Sequence, residues 1–180
     1  MTVANNTDRK IIAFYSPYTG AGKTTAALCL SGFAPYSFAN MVKDFTKHIL
    51  GKLGFKFFEK DIPIAEMGSA TPRDLWKAFA NAGRAVYPDI WVDIGRYDIK
   101  RITRLQNVAI DDLRFPNEYA MLKDKGAKIV RVTNPEREIV KTDTEGLLEG
   151  FEFDYELINY KRSLKECRTQ IDKMMRELWP

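Results

Sequence analysis

The chain has 180 residues, 45% of them apolar and 12% aromatic, which supports a buried core and excludes collagen-like, mucin-like and wholly disordered proteins. With 28 basic and 24 acidic residues the net charge is +4, which suits phosphate-bearing ligands without demanding a nucleic acid. The single histidine, His48, excludes any site built on two, and Cys29 and Cys167 lack metal-type spacing. The length predicts one domain. Residues 1–9 read as a polar leader without the apolar stretch of a signal peptide, and no run reaches the ~18 apolar residues of a membrane span. A protein of a reducing, cytoplasmic compartment with no membrane contact is the expectation.

In chain order, Ile11–Tyr15 is an unbroken apolar run, as a strand covered on both faces requires. A Gly-rich turn follows, then a helix over Lys23–Leu30 (KTTAALCL). A second short strand is predicted at Tyr36–Ala39. Met41, Val42, Phe45, His48 and Ile49 keep helical spacing up to Gly51. Thr71-Pro72 opens the next helix, Thr as its cap and Pro in its first turn, with Leu75, Trp76 and Phe79 turned inward and Gly83 and Pro88 closing it. Arg96, Lys100, Arg101 and Arg104 form a basic stripe, read as a solvated helix face rather than a nucleic-acid contact. Val108–Ile110 is a buried-type strand ending in Asp111-Asp112. A short helix runs over Glu118–Lys125, a strand over Lys128–Val132 and a last strand over Tyr155–Tyr160. Leu164, Cys167, Ile171, Met174, Met175 and Leu178 make the clearest helical stripe. Apolar strands alternating with helices predict βαβ units and a parallel sheet.

Gly20-Ala21-Gly22-Lys23-Thr24-Thr25, between a strand and a helix, fits the end of the phosphate-loop pattern G-x-x-x-x-G-K-[ST]. Glycines let backbone N–H groups turn onto phosphate oxygens, and a helix N-terminus adds its positive end. Lys23 would reach the β- and γ-phosphates of ATP, and the Thr24 hydroxyl would bind Mg²⁺. The first glycine of the pattern is replaced by Pro17. Asp112, at the end of an apolar strand, stands where such proteins hold Mg²⁺ or its waters. These features predict a three-layer α/β P-loop NTPase fold, with a parallel sheet flanked by helices.

Several stretches, in order, resemble the phage-type deoxynucleoside monophosphate kinases, relatives of the nucleoside monophosphate kinase group. They are GAGKTTAA, Ser37–Lys43 (similar to F-A-x-x-x-K), Thr71–Leu75 (T-P-R-x-L), Gly83-Arg84 with Pro88–Val92, Asp112–Glu118 (D-x-R-F-P-N-E), and Asp154 with Ile158-Asn159. The resemblance spans about residues 10–178. It implies a nucleoside monophosphate kinase-like fold that transfers the ATP γ-phosphoryl group to a deoxynucleoside monophosphate, for DNA precursor supply. Lys23, Asp112, Arg114 and Glu118 match the catalytic cluster. Arg73 and Trp91 match the acceptor side, and Phe38, Lys43 and Arg84 join them as acceptor candidates. Arg137, in a lid expected over residues 136–150, is a candidate ATP contact along with Lys141. Asn159 would lie near the adenine. The acceptor-binding helical region is expected at about residues 40–104. Two departures stand out: Lys77 with Ala80-Asn81-Ala82 replaces the family's Q-x-x-G-T-E, and Thr142–Glu145 replaces its H-x-S-E. The resemblance places a viral member in the host cytoplasm. Pairing into a homodimer is compatible with the sequence, and nucleic acid is not an expected partner. Two other readings stay open: a small P-loop kinase with another acceptor, such as a sugar acid or coenzyme precursor, and a non-catalytic nucleotide- or nucleic-acid-binding module.

Overall fold

A computed structural model describes residues 9–52, 54, 59–136, 144, 146–159 and 163–180. The chain divides into two compact units, one of residues 1–37 and 95–180, the other Phe38–Ile94.

The first unit holds the sheet. Its strands are β1 (Ile11–Tyr15), β2 (Phe33–Tyr36), β3 (Asn107–Leu113), β4 (Lys128–Thr133) and β5 (Tyr155–Ile158), in spatial order β2-β3-β1-β4-β5. All four pairings are parallel. β1 lies at the centre and all five of its side chains are buried, which is why its sequence is apolar without alternation.

The chain leaves β1 towards β2 through α1 (Lys23–Leu28) and later leaves β3 towards β4 through α5 (Pro116–Asp124), in the opposite direction along the sheet. Right-handed crossovers taken in opposite directions place their helices on opposite faces. α6 (Leu164–Leu178) packs beside α1. On that face Ile12, Phe14, Ala27, Val130, Ile171 and Met174 share one core. Burying each of the larger side chains contributes about 1.5–3 kcal/mol. Cys29 and Cys167 belong to this core, their Sγ atoms 3.1 Å apart as free thiols, and burial pushes the Cys167 thiol up to about 12. The result is the expected three-layer α/β architecture, with a glycine-rich turn following its first strand.

Several boundaries differ from the sequence expectation; β3 is longer than Val108–Ile110 and α5 starts at Pro116 rather than Glu118. The second strand is Phe33–Tyr36, not Tyr36–Ala39, because Phe33–Tyr36 pairs in register with Asn107–Ile110 while Ala39 already begins a helix. Pro35 inside that strand argues against it locally, but β2 is an edge strand, where a missing N–H is tolerated. The last strand ends at Ile158, and the helix of the phosphate-loop region at Leu28.

The second unit is helical. It contains α2 (Ala39–Gly51), one 3-10 turn (Ala65–Met67), α3 (Pro72–Val86) and the start of α4 (Ile90–Ile102), whose remainder belongs to the sheet unit. α2 packs on α3, with Phe45 edge-on to Phe79 at 5.7 Å. α3 starts as its sequence dictates: Thr71 Oγ1 accepts from the Asp74 N–H at 3.2 Å, Asp74 accepts from the Thr71 N–H at 2.9 Å, and Pro72 follows the cap. The expected insert of residues 40–104 compares with an observed unit of Phe38–Ile94.

Candidate functional site

The C-terminal ends of parallel strands form the ligand crevice of an open α/β sheet. In the sheet unit those ends bring together the Gly-rich turn after β1, Ser37 after β2, Asp112 near the end of β3, Asn134 after β4 and Asn159 after β5.

The turn runs from Ser16 to Gly22. Gly20 (φ +79°) and Gly22 (φ +96°) adopt left-handed backbone that a side chain would strain. Ala21 between them is fully buried. Lys23 is half-buried, and Thr24 and Thr25 are exposed. The Gly22 carbonyl accepts from the Ala26 N–H at 2.9 Å, so the glycine joins the turn to α1. α1 has only six residues, so its dipole is weaker than that of a full-length helix.

Asp112 accepts a hydrogen bond from Ser37 Oγ at 2.6 Å, tying the end of β3 to the end of β2. The register between β1 and β3 slips here. Ala13 pairs with Ile110, but Tyr15, two residues on, pairs with Leu113, three residues on. One extra residue is thus accommodated at Asp111-Asp112, a bulge beside the strand that feeds the turn, and bulges of this kind re-aim side chains. The Tyr36 hydroxyl is raised above its ordinary pKa by burial first, then by the carboxylates of Asp98, Asp112 and Glu118.

Glu118 is buried, and its carboxylate accepts from the Arg114 and Phe115 N–H groups at 3.0 and 3.1 Å. It therefore caps the start of α5. Arg114 Nη1 donates to Thr144 Oγ1 at 3.0 Å.

The acceptor-side candidates lie in the helical unit. Arg73 grips Asp61 with two donors, Nε at 2.6 Å and Nη2 at 3.1 Å. Lys43 Nζ stands over the Trp76 ring at 5.7 Å. Trp91 donates Nε1–H to the Ala80 carbonyl at 3.0 Å, and its ring comes so close to Gly83 that an added Cβ would sit 2.9 Å from it. Phe38 is buried at the start of α2, and Arg84 lies in the last turn of α3. Trp91 and Phe38 thus have the contacts and burial of packing residues. Arg137, Lys141 and most of the expected lid lie outside the described residues.

Sequence reasoning gave no role to Tyr18, Ser37 or Asn134. Tyr18 donates its hydroxyl proton to the Asn134 carbonyl at 3.0 Å and accepts from the Asn134 N–H, fastening the turn to the end of β4. An aromatic within the Gly-rich turn was the available signal, but its partner is 116 residues away.

Two solved structures align with most of the chain. One is a Deinococcus radiodurans tunicamycin resistance protein, 14% identical over 93% of this chain and 95% of that one, with a TM-score of 0.49. The other is a sugar kinase from Janibacter sp. HTCC2649, 12% identical over 94% of each chain, with a TM-score of 0.46. No family model matches the sequence, nor does any curated protein. Neither structural likeness is close enough to carry an argument, and the fold rests on the strand order and the turn described above. Among the described residues no helix is long and apolar enough to cross a membrane, and no cluster of three or more His, Cys, Asp or Glu could hold a metal ion by itself.

Proposed function

We propose that the protein is a phosphotransferase that moves the ATP γ-phosphoryl group to a nucleoside monophosphate, a deoxynucleotide on the family resemblance, and releases the diphosphate. The observation that carries the reading is the turn between β1 and α1, where Gly20 and Gly22 hold left-handed backbone directly before Lys23. Such a turn presents backbone amides and one ammonium to an anion. Asp112, on the neighbouring strand and braced by Ser37, supplies the carboxylate that this chemistry requires.

Magnesium fits the donor set. Mg²⁺ takes one or two carboxylates together with substrate phosphates and waters, so a three-residue cluster is not needed. Asp112 and the Thr24 hydroxyl are hard oxygen donors that would hold it. Bound there, the ion would offset charge on the transferred phosphoryl group.

The acceptor is a phosphate monoester with a second pKa of ~6, so it is largely dianionic at neutral pH. Its oxygen needs no strong base. The barrier lies in bringing two polyanions together, and catalysis is positioning plus electrostatic stabilisation. Lys23 serves the donor phosphates. Arg73, Arg84 and Arg114 are assigned to phosphate oxygens because a guanidinium fork binds two at once. Arg73 would exchange Asp61 for the acceptor phosphate. Asp112 organises cations rather than accepting a proton.

A kinase for another acceptor is the second reading. It is favoured by the packing of Trp91 onto Gly83 and Ala80, which spends the aromatic assigned to the acceptor base. A panel of ribo- and deoxynucleoside monophosphates with Mg-ATP, followed by ADP and diphosphate formation, separates the two. Turnover with several deoxynucleotides is expected. ATP consumption with none of them would turn the assignment to a different acceptor.

A further inference from the structure

The phosphate-binding turn begins with Pro17 where its pattern has a glycine, so its backbone shape must be held by something else. Contacts with the ends of two neighbouring strands do this. Buried Tyr18, within the turn, is fastened to the backbone of Asn134, just past β4. Asn159, just past β5, donates its Nδ2–H to the Ala21 carbonyl at 2.8 Å. The approach is close: a Cβ built on Gly22 would stand 2.0 Å from Asn159 Nδ2. Asn159 is itself anchored, its N–H donating to the Thr133 carbonyl at 2.7 Å.

The Ala21 carbonyl and the Gly22 N–H belong to one peptide unit. No peptide bond in the described chain is cis, and in a planar trans peptide the two groups point in opposite directions. Fixing the carbonyl therefore fixes the direction of the amide. We propose that Asn159 is a positioning residue for nucleotide binding: by holding the Ala21 carbonyl it aims the Gly22 N–H at the phosphate chain, and it does not read the base. This inference rests on the phosphate-site reading above. It assigns Asn159 a different task from the adenine contact that the resemblance implies.

The two tasks differ in which ligand notices the loss. Calorimetric titrations of the full chain with ADP and with inorganic tripolyphosphate, both with Mg²⁺, would compare wild type, Asn159→Ala and Asn159→Leu. Loss of the side-chain donor is expected to weaken both ligands by the same factor, about tenfold. Asn159→Leu keeps the size, loses the donor, adds no charge and carries the test if the alanine variant does not fold. Weaker ADP binding with unchanged tripolyphosphate binding would mean a base contact and would overturn the proposal, as would unchanged affinity for both. A purely structural role would lower the melting temperature and leave the affinity of the folded fraction intact, which also overturns it. Wild-type protein that binds neither ligand would sink the phosphate-site reading itself, and this inference with it.

Discussion

Lys23 follows the left-handed Gly22 at the first position of α1, so its ammonium is carried by the same turn that presents the amides. Replacing it with alanine removes a charge and leaves the backbone of the turn alone. Lys23→Ala is expected to lower turnover by about two to three orders of magnitude, the scale of losing one preorganised electrostatic contact, with unchanged far-ultraviolet circular dichroism. Unchanged turnover would remove the phosphate site. Arg73 presents a different case. Its fork is already matched to Asp61, whose carboxyl is held below its usual range, first by the hydrogen bond from Arg73. The pair is exposed, so its own contribution to stability is small. Arg73→Ala should therefore cost little in melting temperature but raise the KM for the acceptor more than that for ATP. Equal rises in both constants would contradict its placement on the acceptor side.

Strand ends and helix starts carry the polar chemistry of the sheet unit. Glu118 caps α5, Asn159 and Tyr18 brace the turn after β1, and Asp154 joins the loop before β5 to β4. Asp154 accepts from the Ile129 N–H at 2.8 Å and from Lys123 and Lys128 at 3.1 and 3.4 Å. Burial works to raise its pKa, but the amide and the two lysines outweigh it, and the carboxyl is held below the ordinary range. A pKa lower in the folded than in the unfolded chain gives stability above the unfolded value of ~3.9, lost as pH falls through the folded value. Asp154→Asn should thus lower the melting temperature at pH 7, and the gap to wild type should close below about pH 4. A gap of constant size across an acid titration would show that the charge is not what holds the loop.

For the molecule as a whole, ligand binding and stability are linked. A ligand that binds only the folded chain stabilises it by RT ln(1 + [L]/Kd), about 2.7 kcal/mol at a hundredfold excess over Kd. Mg-ADP should accordingly raise the melting temperature of wild type by more than that of Lys23→Ala. An identical shift in both would place the nucleotide elsewhere. The net charge of +4 is modest, and the exposed Arg96, Lys100 and Arg101 lie along one short helix, so no salt-sensitive DNA binding is expected in a mobility-shift assay.

Local sequence was enough for whatever depends on neighbours a few residues apart. The apolar run of β1, the Gly-Lys-Thr turn, the Thr71-Pro72 start of α3 and the stripe of α6 all follow from side-chain period, capping chemistry and glycine conformation. Tertiary structure decided the rest. The second strand had to be placed by its register against β3, and the bulge at Asp111-Asp112 exists only in relation to β1. Tyr18 meets Asn134 across 116 residues, and Asn159 meets Ala21 across 138. No periodicity reaches that far. Such contacts are set by which strands a parallel sheet lays side by side, because crossover connections bring together strand ends that are remote along the chain.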